Sequence, residues 1–187
     1  NNVSVKDVTS SDLLSLKTDL LVIVINKNTK DKVVNQLAKD VSSHLKESGS
    51  SVLVPNAKSF NAKNVLLVKG FQDSDQIHKL ISMYQSIAQK GNQLKAKDIS
   101  IMPGTVYPKG KCEMWLIEMV AKTIESNVYI FSETCNKTAK KPSVKKLNIL
   151  VSSLTKSDLI KAKNAAKKGY AIGELSLIHI SEPTRLV

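Results

Sequence analysis

Ten lysines crowd the stretch from Lys137 to Lys168 (137, 140, 141, 145, 146, 156, 161, 163, 167 and 168), against one acid, Asp158. Ammonium groups at that density attract phosphate backbones. Lys137, Lys140, Lys141, Lys145 and Lys146 are therefore candidate nucleic-acid contacts. The competing reading is a solvated face of a lysine-biased chain. Neither arginine nor an aromatic side chain is interleaved with these lysines, and both usually strengthen such sites.

Other reactive side chains are scattered. Cys112 and Cys135 lie too far apart for a zinc pair or a redox motif. Neither comes with a visible partner base, so both read as buried or idle thiols in a reducing compartment. His44 and His78 are isolated and read as surface histidines, and His179 sits near the C-terminus. The glycines (49, 70, 91, 104, 110, 169 and 173) form neither a dinucleotide fingerprint nor a phosphate loop. There is no HExxH pair and no GxSxG elbow. Met114, Trp115 and Met119 recur at helical spacing and read as core or interface. The residues themselves thus name no catalytic residue, no cofactor-binding residue and no metal ligand.

Composition sets the frame around these groups. The 187 residues carry a net charge of +12 and are 42% hydrophobic but only 4% aromatic. That predicts one globular domain with a Leu, Ile and Val core. No apolar run is long enough to span a membrane. The N-terminal Asn1-Asn-Val-Ser-Val-Lys-Asp has no secretory h-region, and it lacks Met, so a residue or two is expected to precede it.

Strand and helix signals alternate. Leu20–Ile25 is a continuous β-branched-rich run, expected of a strand covered on both faces. Residues 31–47 place Val34, Leu37, Ala38, Val41 and Leu45 on one helical face, with Gly49 as a stop. Val52–Val54 and Val65–Val68 are short strands, the second ended by Gly70. Asp73 with Gln76 resembles a capping box opening a helix. Its stripe is Ile77, Leu80, Ile81, Tyr84, Ile87 and Ala88, and Gly91 is expected to end it. Ile99–Met102 is a strand closed by Pro103-Gly104.

A helix over 112–130 presents Ile117, Val120, Ala121, Ile124 and Val128. Residues 132–143 read as a polar loop. Leu147–Val151 is a strand, and Thr155 with Asp158 caps a last helix whose Leu159, Ala162, Ala166 and Tyr170 point inward. Gly169 and Gly173, four apart, permit close packing against an element expected outside this chain. The alternation predicts a layered α/β domain.

These segments together resemble the N-terminal domain of the leucyl aminopeptidase (cytosol aminopeptidase) family, of the bacterial type. The resemblance is carried by Val3–Lys6, Ser15–Ile25, Val65–Gly70, Ala121–Phe131 and Lys161–Gly173, and covers essentially 1–174. It implies a macro-domain-like α/β/α fold with a mixed sheet between helices. It also implies a cytoplasmic, homo-hexameric metallopeptidase that removes N-terminal residues from peptides, using two divalent ions, zinc or manganese, to activate a bridging water. The family's metal ligands and assisting residues belong to a C-terminal catalytic domain. None has a counterpart here, so no catalytic residue carries over and no cofactor is expected in this chain. Some bacterial relatives are thought to bind DNA as well. A macro fold would also suggest ADP-ribose, although the glycine-rich loops such sites usually use are missing.

The last residues break the chain's habits. Leu175-Ser-Leu-Ile-His-Ile-Ser-Glu-Pro-Thr-Arg185 is similar to a frame translation of a transposase-type sequencing adapter, and Arg185 is the only arginine. The expected organisation is a non-catalytic domain over 1–154, the start of an inter-domain helix over 155–174, and a non-native tail over 175–187. The expected function is that of a leucyl aminopeptidase N-terminal domain, inactive alone. The alternative is a basic DNA-binding module.

Overall fold

The computed structural model describes residues 2–27, 29–71, 76–104, 107–134, 143–152 and 154–181, with side chains for all of these except 10, 129–134 and 176–181. The elements in chain order are β1 (Asn2–Asp7), α1 (Ser10–Ser15), β2 (Leu20–Ile25), α2 (Lys32–Asp40), a 3-10 turn (Ser42–His44), β3 (Ser51–Pro55), β4 (Asn64–Lys69), α3 (Ile77–Gln93), β5 (Asp98–Met102), α4 (Glu113–Thr134), β6 (Lys146–Val151) and α5 (Lys156–Ser181).

Six strands form one sheet in the order β1-β6-β5-β2-β4-β3. All neighbours run parallel except β3, which is antiparallel to β4 at one edge. The alternation of side chains along β2 shows why helices must cover both faces. Leu20, Val22 and Val24 join a core with Tyr84 of α3, Ile117 and Ile124 of α4, and Ala162 and Ala166 of α5. Leu21 and Ile23 join a second core with Leu13 of α1 and Val34 of α2. The expected α/β layering and mixed sheet are present.

One row of the sheet is polar. Ser4, Asn148 and Ser100 lie in register on β1, β6 and β5. Each sits mid-strand between apolar neighbours on the opposite face. Ser4 Oγ donates to Asn148 Oδ1 at 2.6 Å, and Asn148 Nδ2 donates to Ser100 Oγ at 3.2 Å. Ser100 Oγ donates to Thr18 Oγ1 at 3.0 Å, and Thr18 Oγ1 donates to Asp98 Oδ1 at 2.9 Å. Ser100, Asn148 and Thr18 are buried, so the bonds replace the water these groups lose.

Several boundaries differ from the sequence expectations. The helix expected over 31–47 stops at Asp40 and continues as the 3-10 turn, so only its first half is α-helical. Strand β1 and helix α1 carry too few periodic residues to stand out. Yet α1 has a full capping box between Thr9 and Asp12. Helix α3 runs past Gly91 to Gln93, and Gly91 is buried against Ile99 rather than ending the helix. Gln76 precedes α3 without a side-chain cap bond, and Asp73 lies outside the described residues. Helix α4 reaches Thr134, into the expected loop. The Thr155–Asp158 cap forms, with Asp158 N donating to Thr155 Oγ1 at 3.2 Å.

The close-packing glycines find their partner inside the chain. Gly169 lies on the Glu118 backbone and Gly173 on that of Lys122, both on α4. Helix α5 continues unbroken from Lys156 to Ser181, across the boundary expected after Glu174.

Candidate functional site

The carboxyl ends of the parallel strands open into a cleft of about 770 Å³, lined by residues following β1, β2, β5 and β6 and by the first turns of α2 and α4. The chain leaves β2 for β3 and β4 on one side of it and then crosses to β5 on the other. A crevice at such a reversal is the usual ligand position in open α/β sheets.

Local sequence builds the rim tightly. Asn26 N donates to Thr29 Oγ1 at 3.1 Å, and Thr29 N returns a bond to Asn26 O at 3.1 Å. Asn35 Nδ2 holds Thr29 O at 2.9 Å. Asp31 caps α2, its Oδ1 accepting from Val33 N at 2.9 Å and Val34 N at 3.0 Å. Gly70 and Gly104 flank the end of β2. A Cβ on either would press on Val24 at 3.0 and 3.2 Å, so a larger residue there would make Val24 or the loops after β4 and β5 give way by a few tenths of an ångström. Beneath them Tyr84 is fully buried, and burial pushes its hydroxyl well above the ordinary tyrosine range despite a hydrogen bond with the Gly104 backbone.

Charge in the cleft is acidic, although the protein is basic. Asp7, Asp31 and Glu113 line it, with Lys30 as the one lysine among the lining residues. Glu113 is half-buried. Burial raises its carboxyl above the ordinary range, and the nearby Asp158 carboxylate raises it further.

The opposite edge of the sheet is basic. Lys146 is the first residue of β6 and pairs in register with Asp98 of β5. Lys145 N donates to Lys97 O at 2.7 Å. Lys17 and Lys63 border the same end of the sheet, around Thr18, Asp19 and Asp98. Lys17, Lys63, Lys95, Lys97, Lys145 and Lys146 are all exposed. From β4 to β6 is three strand spacings, about 14 Å.

The two acids of this edge are engaged. Asp98 Oδ1 accepts from Asp19 N at 2.6 Å, and Asp19 Oδ2 accepts from Lys97 N at 2.8 Å. Lys63 Nζ pairs with Asp19 at 3.2 Å. The Lys97 N–H, with Lys63 nearby, holds the Asp19 carboxyl below its ordinary range, partly opposed by burial.

Of the lysines expected to contact nucleic acid, Lys145 and Lys146 thus sit on this edge, while Lys137, Lys140 and Lys141 lie outside the described residues. The other five of the run lie on α5, where Lys168 pairs with Glu118 at 3.7 Å. Lys17, Lys63, Lys95 and Lys97 escaped sequence reasoning because they are far apart in the chain. A readable signal existed: a lysine stands just before several strands, and parallel strands all begin on one edge.

His44 and His78 are exposed, as expected. Cys112 is an exposed free thiol, and Cys135 lies outside the described residues. Met119 is buried, with Met114 and Trp115 partly buried against the same core. Among the described residues, no group of three His, Cys, Asp or Glu side chains converges to hold a metal ion. No helix of the described residues is long and apolar enough to cross a membrane.

Similarity to solved structures decides the fold type. A macrodomain from Trypanosoma brucei in complex with ADP-ribose matches 91% of this chain and 69% of its own, with a TM-score of 0.56 and 14% identity. The fold is that of a macrodomain. The same architecture occurs in a tomato leucine aminopeptidase mutant, with a TM-score of 0.59 and 20% identity. That match takes in 99% of this chain, which spans 39% of the tomato enzyme. A bottromycin maturation enzyme in complex with Mn matches 89% of this chain and 32% of its own, with a TM-score of 0.57 and 14% identity. No family model and no curated protein matches the sequence. The macro-like fold expected from the sequence is therefore present, and the likeness to a leucine aminopeptidase is one of fold.

Proposed function

We propose that this macro-like chain is the non-catalytic N-terminal domain of a cytoplasmic leucyl aminopeptidase, a metallo-exopeptidase that removes N-terminal residues from peptides. The observation that carries this reading is coverage. The tomato enzyme matches 99% of the chain at a TM-score of 0.59 and 20% identity, against 80 to 91% at 0.52 to 0.57 and 9 to 14% for the macrodomains. The part would support assembly of a hexamer and frame access to a catalytic domain that holds the two divalent ions.

Two measurements test it. The chain alone, with added Mn²⁺ or Zn²⁺, is expected to leave a leucyl-amide substrate intact, and turnover above a matched blank overturns the non-catalytic role. Genomic sequence read past codon 174 is expected to run into a catalytic domain. A native stop within a few codons defeats the aminopeptidase assignment.

A second reading has its own support: the basic edge is a candidate nucleic-acid surface. Six exposed lysines against Asp19 and Asp98 leave four net positive charges along about 14 Å. Duplex DNA should be retarded by the chain at low salt and released steeply as salt rises. No shift at low salt removes this reading.

A further inference from the structure

The cleft at the carboxyl ends of the strands has the size of a small-molecule site, about 770 Å³. Two helices, α2 and α4, turn their first residues into its wall. Free helix N-termini ordinarily receive an anion through unsatisfied N–H groups and the positive end of the dipole. Here each carries its own carboxylate. Asp31 takes the Val33 and Val34 N–H groups of α2, and Glu113 stands in the first turn of α4. Asp7 adds a third carboxylate from the end of β1, with Lys30 the single opposing cation among the lining residues. Three acids less one lysine leave two negative charges around a cavity whose remaining wall is largely apolar, including Val8, Leu13, Ile23, Val34, Met102 and Leu116.

We infer that this cleft takes a small ligand with an apolar body and a cationic ammonium head, and that it rejects diphosphates. The apolar wall supplies contact area, and the carboxylates supply the sign of the charge it selects. A phosphate approaching the same wall meets the α2 end already capped by Asp31 and the negative charge of Glu113 in the first turn of α4. The half-buried Glu113 carboxylate, opposed by Asp158, is stabilised by an arriving ammonium and further opposed by an arriving phosphate. The inference stands apart from the aminopeptidase reading, and concerns the edge of the sheet opposite the lysines.

The experiment is a nitrogen-15 amide titration of the full chain with isoamylamine, with its neutral analogue isoamyl alcohol, and with ADP-ribose. Saturable shifts are expected from the amine at the starts of α2 and α4 and at Met102 and Gly104. The alcohol should bind about fivefold more weakly, and ADP-ribose should leave these amides unmoved. Glu113→Gln and Asp7→Asn should each weaken the amine by up to about fivefold, the range of one partly exposed charge pair. Retained amide dispersion shows whether each variant is folded, and either variant alone suffices. Equal binding of amine and alcohol, shifts by ADP-ribose, or no shifts by the amine overturn the proposal.

Discussion

Gly169 of α5 rests on the backbone carbonyl of Glu118 in α4, so closely that a methyl group in place of its hydrogen would overlap that oxygen. One turn on, the contact repeats: a Cβ on Gly173 would stand 2.9 Å from Lys122 O. Two glycines four apart thus meet two carbonyls four apart, and the helices touch backbone to backbone. Small residues at this spacing create a groove that admits a neighbouring helix ridge.

Gly169→Ala should therefore destabilise the domain. Overpacking costs about 1–3 kcal/mol, against at most about 1 kcal/mol gained from helix propensity. A net loss of about 1–2 kcal/mol is expected, read as a lower urea midpoint with unchanged slope. A midpoint that rises, as for an exposed helical glycine, would show that the contact is absent.

The polar row across β1, β6 and β5 should behave as one unit. Asn148→Ala removes the partner of half-buried Ser4 and leaves buried Ser100 only its bond to Thr18, and should cost about 1–3 kcal/mol. Replacing Ser4, Asn148 and Ser100 together by Ala should cost less than the sum of the three single changes. Strict additivity in chemical unfolding would argue against the coupling.

Acid sensitivity should trace to two carboxylates at helix and strand starts. The backbone N–H and hydroxyl of Thr9 hold Asp12 below its ordinary range, and the Lys97 N–H and Lys63 do so for Asp19. A carboxyl depressed in the folded state stabilises above its unfolded pKa, and that contribution disappears as pH falls through the folded value. Asp12→Asn with Asp19→Asn should thus lower the melting temperature at neutral pH. The gap to the parent should close between about pH 5 and pH 2. Glu113 has the opposite sign: its raised carboxyl disfavours folding once ionised. Glu113→Gln should be at least as stable as the parent at neutral pH, with any advantage fading on acidification. Melting curves across pH check both signs, and a gap that widens in acid contradicts the first.

Two lysine changes on the basic edge give a quantitative check on polyanion binding. Lys97→Gln with Lys146→Gln should reduce the slope of log affinity against log salt by about 2, and weaken binding alike for unrelated duplex sequences. The α5 pair Lys163→Gln with Lys167→Gln should leave the slope unchanged if the edge alone is used. Equal losses from both pairs would assign the binding to net charge.

Most of the sheet was legible because burial on both faces leaves an unbroken apolar run, as in Leu20–Ile25. The capped helix after Thr155 was legible for a similar reason, since cap and stripe agree. The first strand was not: Val3 and Val5 are only two apolar residues, and their burial depends on β6, far along the chain. Gly91 misled as a stop signal, whereas Gly169 was read as a close-packing residue and only its partner inside the chain was missed. A glycine signals freedom locally, but Gly91 is required by Ile99 pressing on it, and Gly169 meets Glu118 on a helix far enough back in the chain for the pairing to be unreadable. The cleft was invisible because Asp7, Asp31 and Glu113 meet only through the topology. Lys145 and Lys146 were found from local density, while Lys17, Lys63 and Lys97 join them only because parallel strands share a starting edge.

Ser4 and Asn148 bond across a separation of 144 residues, because β1 completes its pairing only with β6. On a ribosome that adds about 5–20 residues per second, β1 waits roughly 7–30 s for its partner to be synthesised. Through that interval Val3 and Val5 have no sheet to join, and once β6 has formed beside β5 its outer edge is bare until they arrive. A strand translated before the rest of its sheet is thus among the last that can be placed, and nascent chains halted before Val151 should still offer β1 to proteases or chaperones.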